Sequence, residues 1–378
     1  MIKNCIYETW HNLYSKVHLR RCTKCILPAT MPFINFNEQG VCNYCTSHKK
    51  VIARGHEELK KIILPYRSNN GADDCIVAFT GGRDSSYSLH YVKTVLKMHP
   101  VAFTYDCGMA TEIAQRNRKR MCDALGVKQI IVAVDGTIKR KNIKKNINAW
   151  LRRPDLGMIP LFMAGDKQII HYARKVKKKT GIPLIFYGLG NRHEDALFKL
   201  GFSQVYTESP MLYYNISLLN KVKFAAYYAK QYLANPRYIN HSLFDALYGY
   251  FCLFFLGKQN GDMFLYDYVK WDENKIMATL INDYKWEHPQ DTIVTWRIDD
   301  GTSAFYNYIY MTVAGFTEND TFRSNQIREG EMTREDALQI VKEENKPRCE
   351  TIEWYACHIG FDCDTAIKRI NTMPKLYA

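Results

Sequence analysis

Apolar and polar positions alternate along this chain in blocks of two kinds. The first clear block is Cys75-Ile76-Val77-Ala78-Phe79, a short apolar run followed by the polar turn Thr80 to Ser86. A segment with Tyr87, Leu89, Tyr91, Val92 and Leu96 at helical spacing comes next. The run predicts a buried strand and the spacing a helix. Pro100 to Tyr105 then reads as a strand, and Thr111 to Leu125 as a helix that stops at Gly126. Val127 to Val134 is the next strand, and Ile182 to Gly188 a further buried one. Alternation of strand and helix predicts an α/β protein with a Rossmann-like, doubly wound parallel sheet. From Met211 the pattern turns mostly helical and aromatic, with helices expected at Tyr213 to Leu233, Ser242 to Phe255 and Thr302 to Ala314. The chain therefore divides into a lead-in over 1–70, an α/β unit over 71–210 and a helical region over 211–378.

A parallel sheet of this kind binds ligands beyond the carboxyl ends of its strands. That rule brings Thr80–Ser86, Tyr105-Asp106-Cys107, Asp135-Gly136 and the loop after Gly188 to one crevice. The loop Thr80-Gly81-Gly82-Arg83-Asp84-Ser85-Ser86 has the character of an anion nest. Paired glycines let the backbone approach an anion closely, and the N–H groups of the following helix hold it. No Lys follows the second Gly, so this is not a Walker loop, and the G-x-G-x-x-G spacing is absent. Asp84 repels a bare phosphate; its presence points to Mg²⁺ between carboxylate and phosphate. Thr80, Ser85 and Ser86 supply hydroxyl donors. In the loop after Gly188, Arg192 is a candidate phosphate ligand and Glu194 a candidate for metal or substrate.

Cysteine spacing adds a second element. Cys22-x2-Cys25 and Cys42-x2-Cys45 are separated by sixteen residues, a spacing that suits a structural four-cysteine zinc site. His48 is a weaker candidate ligand. Cys349, Cys357, His358 and Cys363 cluster near the end without C-x2-C spacing.

Composition narrows the setting. The chain has 378 residues, 47% hydrophobic and 24% charged, and a formal net charge of +14. That excess favours anionic partners. The basic stretches 139–153, which includes Trp150, and 174–179 read either as solvated helix faces or as an anion-steering surface. The longest apolar run, Ala246 to Leu256, is about half of what spans a bilayer. With no apolar leader at the start and twelve cysteines, the expectation is a cytoplasmic protein in a reducing compartment, without a transmembrane segment.

The loop Thr80 to Ser85 resembles the SGGxDS loop of the ATP pyrophosphatases, with Thr in place of the first Ser. The resemblance implies a fold of the ATP pyrophosphatase type that binds ATP with Mg²⁺ and releases AMP and pyrophosphate. It implies phosphate contacts from Thr80, Gly81, Gly82, Ser85 and Ser86, metal contact from Asp84, and an adenine site along Thr104, Tyr105 and Asp106. Over nearly its whole length the chain is similar to the N-acetyl sugar amidotransferases of surface polysaccharide biosynthesis, including those of the lipopolysaccharide O-antigen. The residues that carry this are Arg21 to Pro28, Phe36 to Cys45, Trp271-Asp272-Glu273, Ile327 to Gly330 and Met332 to Glu335. The turn Tyr187 to Asn191 departs from that family's pattern, and of it only Gly188 clearly carries over. The resemblance implies that Asp84 and Ser85 act in catalysis on a nucleotide-linked N-acetyl sugar, with Zn²⁺ in the cysteine module. It further implies ammonia from a separate glutaminase subunit and no stable nucleic-acid partner. The alternative is ATP-dependent tRNA thiolation within the same superfamily, for which Cys107 is the candidate sulfur carrier.

Overall fold

The structure, a computed structural model, describes residues 2–50, 52–163, 168–188, 193, 197–206, 217–244, 247–248 and 260–377. Its centre is a five-stranded sheet of β1 (Cys75–Ala78), β2 (Pro100–Asp106), β3 (Gln129–Ala133), β4 (Leu184–Tyr187) and β5 (Asp262–Phe264). All neighbours pair in parallel, in the order β3-β2-β1-β4-β5. The chain steps outward from β1 to β3, then returns to the far side of β1 with β4. The strand order thus reverses between β1 and β4, the position at which sheets of this kind bind ligands beyond the carboxyl ends of their strands.

β1, β2 and β4 are buried along almost their whole length because both faces are covered, whereas β3 lies at an edge with Ile131 exposed. Cys75, Val77, Phe79, Leu184 and Phe186 pack on one side with Tyr87, Leu89 and Met121. Ile76, Ala78, Val101, Phe103, Ile185 and Tyr187 face the other side, against Ile170, Ala173 and Val176 of the Gln168–Thr180 helix. The period of two along each strand separates these two cores.

The fifth strand is absent from the hydrophobic pattern. It comes from within the stretch read as helical, and only three residues pair. Asp262 is 2% exposed and is held by Arg174 Nη2 at 2.5 Å. Lys177 Nζ donates to the carbonyl of Asn260 at 2.6 Å. Part of the second basic run therefore fastens an edge strand to its covering helix.

A third core joins the N-terminal helix Ile2–Lys16, the cysteine module, and the helices Gly136–Arg152, Thr302–Ala314, Cys349–Ile359 and Cys363–Asn371. Trp150, in the first basic run, is completely buried here and donates from Nε1 to the carbonyl of Asp155 at 2.8 Å. Of the expected helices, Thr302–Ala314 has the predicted bounds and Leu218–Ala234 falls in the expected Tyr213 to Leu233 stretch, whose residues 213–216 lie outside the described residues. Most of Ser242 to Phe255, like Arg192 and Glu194, lies outside the described residues. No described helix is long and apolar enough to cross a membrane.

Candidate functional site

The glycine loop stands at the carboxyl end of β1, and the helix Arg83–His90 begins inside it. Gly81 takes φ 89°, a backbone conformation open to glycine. A Cβ at Gly81 would lie 2.4 Å from the carbonyl oxygen of Ala114 and 2.8 Å from Cγ of Arg118. Two hydroxyls wind the loop upon itself. Gly82 N–H donates to Thr80 Oγ1 at 3.2 Å, and Thr80 N–H donates to Ser85 Oγ at 3.2 Å. Ser85 Oγ donates to the Gly82 carbonyl at 3.1 Å, and the two hydroxyls lie 3.1 Å apart. Trp286 Nε1 donates to the Gly81 carbonyl at 3.1 Å. The first turn of any helix leaves N–H groups without intrahelical partners, and here that turn sits at the mouth of the sheet. Ser86 is wholly buried behind the loop, and its hydroxyl has no hydrogen-bond partner among the described residues.

Gly188 closes the other wall. A Cβ there would meet Ser88 Oγ at 2.7 Å, the Asp84 carbonyl oxygen at 2.9 Å and Ser85 Cα at 2.9 Å. The chain leaving β4 therefore lies directly on the first turn of the loop helix, and two of those three contacts are backbone atoms. A side chain would force strand and helix apart.

Asp84 is positioned by a buried charge chain. Its Oδ1 accepts from Arg83 Nε at 2.9 Å and from Trp271 Nε1 at 3.0 Å. Arg83 is 1% exposed, and its guanidinium lies over the Trp271 ring at 4.8 Å. Arg83 Nη1 also donates to Glu273 Oε1 at 3.0 Å and to Thr295 Oγ1 at 2.9 Å. Glu273 Oε2 in turn accepts from Arg323 Nη1 at 2.6 Å, and Arg323 pairs with Glu344. Burial alone pushes the Glu273 carboxyl up, but Arg323 and Arg83 outweigh it and hold it below its ordinary value of 4.5. Arg83 thus shares its positive charge between Asp84 and Glu273.

The last residues of β2 divide by side-chain direction. Thr104 points down, donating to the Phe79 carbonyl at 2.7 Å and accepting from Gln129 Nε2 at 2.9 Å. Tyr105 points to the opposite face, stacked on Tyr172 at 4.9 Å and bonded to Gln168 at 2.9 Å. What reaches the crevice is the strand end. Asp106 Oδ1 accepts from Gly108 N–H at 2.8 Å, and Asp106 Oδ2 lies 3.7 Å from Arg118 Nη2. Gly108 abuts Gly136, whose Cα would lie 2.8 Å from an added Cβ. His358 Nε2 bonds the Gly108 carbonyl at 2.8 Å, which ties a C-terminal helix to the crevice. Cys107, between them, is partly exposed.

The four cysteines do come together. Cys22, Cys25, Cys42 and Cys45 are all buried, with ligand atoms within 4.8 Å of one another. Cys22 Sγ lies 4.0 Å from Cys45 Sγ, and Cys25 Sγ 3.8 Å from Cys42 Sγ. Tetrahedral bonds of about 2.3 Å to zinc separate sulfurs by about 3.8 Å, so this group can hold a metal such as zinc. Backbone N–H groups of Lys24, Cys25 and Cys42 point at Cys22 Sγ, at 3.4, 3.4 and 3.2 Å. Contacts with Cys25 and Cys42, helped by Arg328, lower the Cys45 thiol, while contacts with Cys25 and Cys45 raise that of Cys42. His48 is not a ligand; it bonds Glu329 at 2.8 Å. Among the described residues this is the one group of three or more His, Cys, Asp or Glu side chains close enough to share an ion. Cys349, Cys357, His358 and Cys363 do not form a second.

The same C-terminal stretch clamps this module. Arg334 Nε donates to the carbonyls of Cys22 and Cys25, both at 3.1 Å. Arg328 Nη1 lies 4.0 Å from Cys45 Sγ, and Arg21 pairs with Asp320 at 2.7 Å. Thr333 caps the Arg334–Glu344 helix by accepting from Asp336 N–H, while a full capping box stands one helix earlier, at Thr317 and Asp320.

Sequence reasoning missed several neighbours of the loop. Thr295, Trp286 and Arg323 contact it or its supporting chain, and the Asp299 carboxylate would lie 3.7 Å from a Cβ at Gly82. Nothing local in the sequence links these positions to residues 80–86. The one signal was Arg83, a charged side chain at the start of a helix whose neighbours are buried. No family model matches this chain, and comparison with curated proteins returns no match.

Proposed function

We propose that the protein is an ATP pyrophosphatase-type amidotransferase that converts an N-acetyl sugar, carried on a nucleotide, to its acetamidino derivative. The observation that carries this reading is the placement of Thr80 to Ser86. A strand, a paired-glycine turn and a helix start stand where the strand order reverses, with Gly188 seated on that helix start. Helix Arg83–His90 begins at this turn, and the N–H groups that open a helix suit a phosphate.

An amide oxygen is a poor leaving group. In the proposed reaction it attacks the α-phosphorus of ATP, the bond to the β-phosphate oxygen breaks, and pyrophosphate departs. Ammonia then adds to the activated carbon, AMP leaves with the former amide oxygen, and a proton is lost. The loop residues Gly81, Gly82 and Ser85 bind the departing phosphates. Asp84 and Asp299 are the carboxylates beside the loop that would hold Mg²⁺, which supplies charge neutralisation on the pyrophosphate. Thr104 to Asp106 offers backbone groups at the strand end for adenine, since the Thr104 and Tyr105 side chains are engaged elsewhere. Zinc in the cysteine module has a structural part, since four thiolates leave no open position.

Mass spectrometry of products from nucleotide-linked acetamido sugars with ATP, Mg²⁺ and ammonium tests the reading. Replacement of one oxygen by NH, with AMP and pyrophosphate released in step, is expected. Absence of sugar-dependent pyrophosphate release across the panel would sink it. A second reading, tRNA thiolation, draws on the partly exposed Cys107 at the crevice. It requires sulfur-for-oxygen exchange on tRNA that disappears in Cys107→Ser.

A further inference from the structure

The helix Leu218–Ala234 is apolar on two opposite faces. Its inner face is anchored normally. Phe224 and Tyr228 are buried, and Gln231 Nε2 donates to Asp155 Oδ2 at 2.7 Å. Its outer face, where a water-exposed helix carries polar residues, presents Leu219, Val222, Ala226, Ala229 and Leu233 instead. These recur at intervals of three and four, so they form one stripe. Leu233 is 80% exposed, Leu219 64% and Val222 58%. Leu218 at 74%, before the stripe, and Phe244 at 70%, past the helix, are similarly uncovered.

Charge identifies what suits this face. Between Glu208 and Asp245 the sequence contains no Asp or Glu, but it does contain Lys221, Lys223, Lys230 and Arg237. Lys223 and Lys230 are exposed and flank the stripe, next in sequence to Val222 and Ala229. Protein interfaces are depleted in Lys at their apolar centres. A lipid surface tolerates it, because the side chain lays its methylenes on the apolar layer and lifts its ammonium to the headgroups. The cations continue beyond the helix. Arg153 Nη1 bonds the Ala234 carbonyl at 3.2 Å, and Arg152 beside it is exposed. Arg369 Nε bonds the Leu151 carbonyl at 3.1 Å, and Lys368 beside it is exposed. The net charge of +14 acts in the same direction.

We infer that the outer face of Leu218–Ala234 is a docking surface for an anionic phospholipid bilayer, with aliphatic side chains entering the interface and the surrounding cations meeting the headgroups. This does not depend on the reaction proposed above. Co-sedimentation of the full chain with vesicles tests it. Vesicles of phosphatidylglycerol and phosphatidylethanolamine should pellet the protein at least about tenfold better than phosphatidylcholine vesicles. Binding should weaken as salt rises and the screening length falls from about 10 Å towards about 3 Å. The double variant Leu219→Asp/Leu233→Asp should lose the interaction while keeping its circular dichroism spectrum. Lys223→Gln/Lys230→Gln, which keeps the apolar stripe, should lose the preference for anionic lipid. The inference is overturned if anionic vesicles leave the protein in solution, or if both variants pellet like the parent. It is also overturned if gel filtration shows a dimer that Leu219→Asp/Leu233→Asp dissociates in the absence of vesicle binding, since the stripe would then join two copies of this chain.

Discussion

Charges alternate behind the glycine loop, from Asp84 through Arg83, Glu273 and Arg323 to Glu344. Each inner member satisfies two neighbours, so removing one leaves the others buried and short of a partner. Loss of one member of such a pair costs about 3–5 kcal/mol. Glu273→Gln is therefore expected to lower the melting temperature at neutral pH and to loosen Asp84 through Arg83. The pH dependence follows from the direction of the shift. A carboxyl held lower in the folded than in the unfolded chain contributes stability above its unfolded pKa and loses it as pH falls through the folded one. Glu273 behaves this way, as does Glu318, which burial pushes up but Lys199 and Arg297 hold down below 4.5. Glu344, raised mainly by burial, works in the opposite sense and relieves part of that loss. Melting curves recorded from pH 7 downward should drop below about pH 4.5, and Glu273→Gln should start lower and fall less steeply. An equal slope for the variant would remove Glu273 from this account.

At the scale of elements, the cysteine module and the C-terminal helices behave as one unit. Four residues in two short turns cannot bury their own backbone carbonyls. Arg334 satisfies those of Cys22 and Cys25, and Arg328 brings a positive charge to the sulfurs. Four thiolates on one zinc ion carry excess negative charge, so a neighbouring guanidinium is favourable. This contact gives a physical reason for the cysteine pairs and the Ile327 to Glu335 stretch to occur together in one chain. One zinc per chain is expected by elemental analysis. Because metal binding is coupled to folding, chelation or Cys25→Ser should lower the melting temperature and expose the Glu318–Glu344 segment to protease. Arg334→Ala, which removes only hydrogen bonds, should have the same effect at about 1–2 kcal/mol. Full protection of the metal-free protein would contradict the coupling.

At the scale of the whole molecule, the sheet is completed from far away in sequence. The strand β5 contributes three residues and could not hold by pairing alone. Arg174 and Lys177 fix it by side-chain and backbone contacts. Arg174→Ala removes a cation that pairs with the buried Asp262, and a loss of up to about 3–5 kcal/mol is expected. Hydrogen exchange should then quicken in β4 and β5 before β1 and β2; uniform exchange across the sheet would argue against this order.

The sequence by itself determined what depends on neighbours in the chain. Runs such as Cys75 to Phe79 and Ile182 to Gly188 read as buried strands, because they are short, apolar on both faces and bounded by turn residues. A C-x2-C turn brings two sulfurs to one side regardless of context. The paired glycines of the loop demand a close backbone approach wherever they occur. The tertiary structure alone decided what depends on residues far apart in the chain. It turned the Thr104 and Tyr105 side chains to opposite faces, joined Arg83 to Glu273 and Thr295, and made Trp150 core rather than surface. It also recruited Asp262–Phe264 as a strand although three residues carry no readable period. Burial and pairing of charges are properties of the closed fold. A local pattern records the propensity of a segment, but not which distant side chain arrives to meet it.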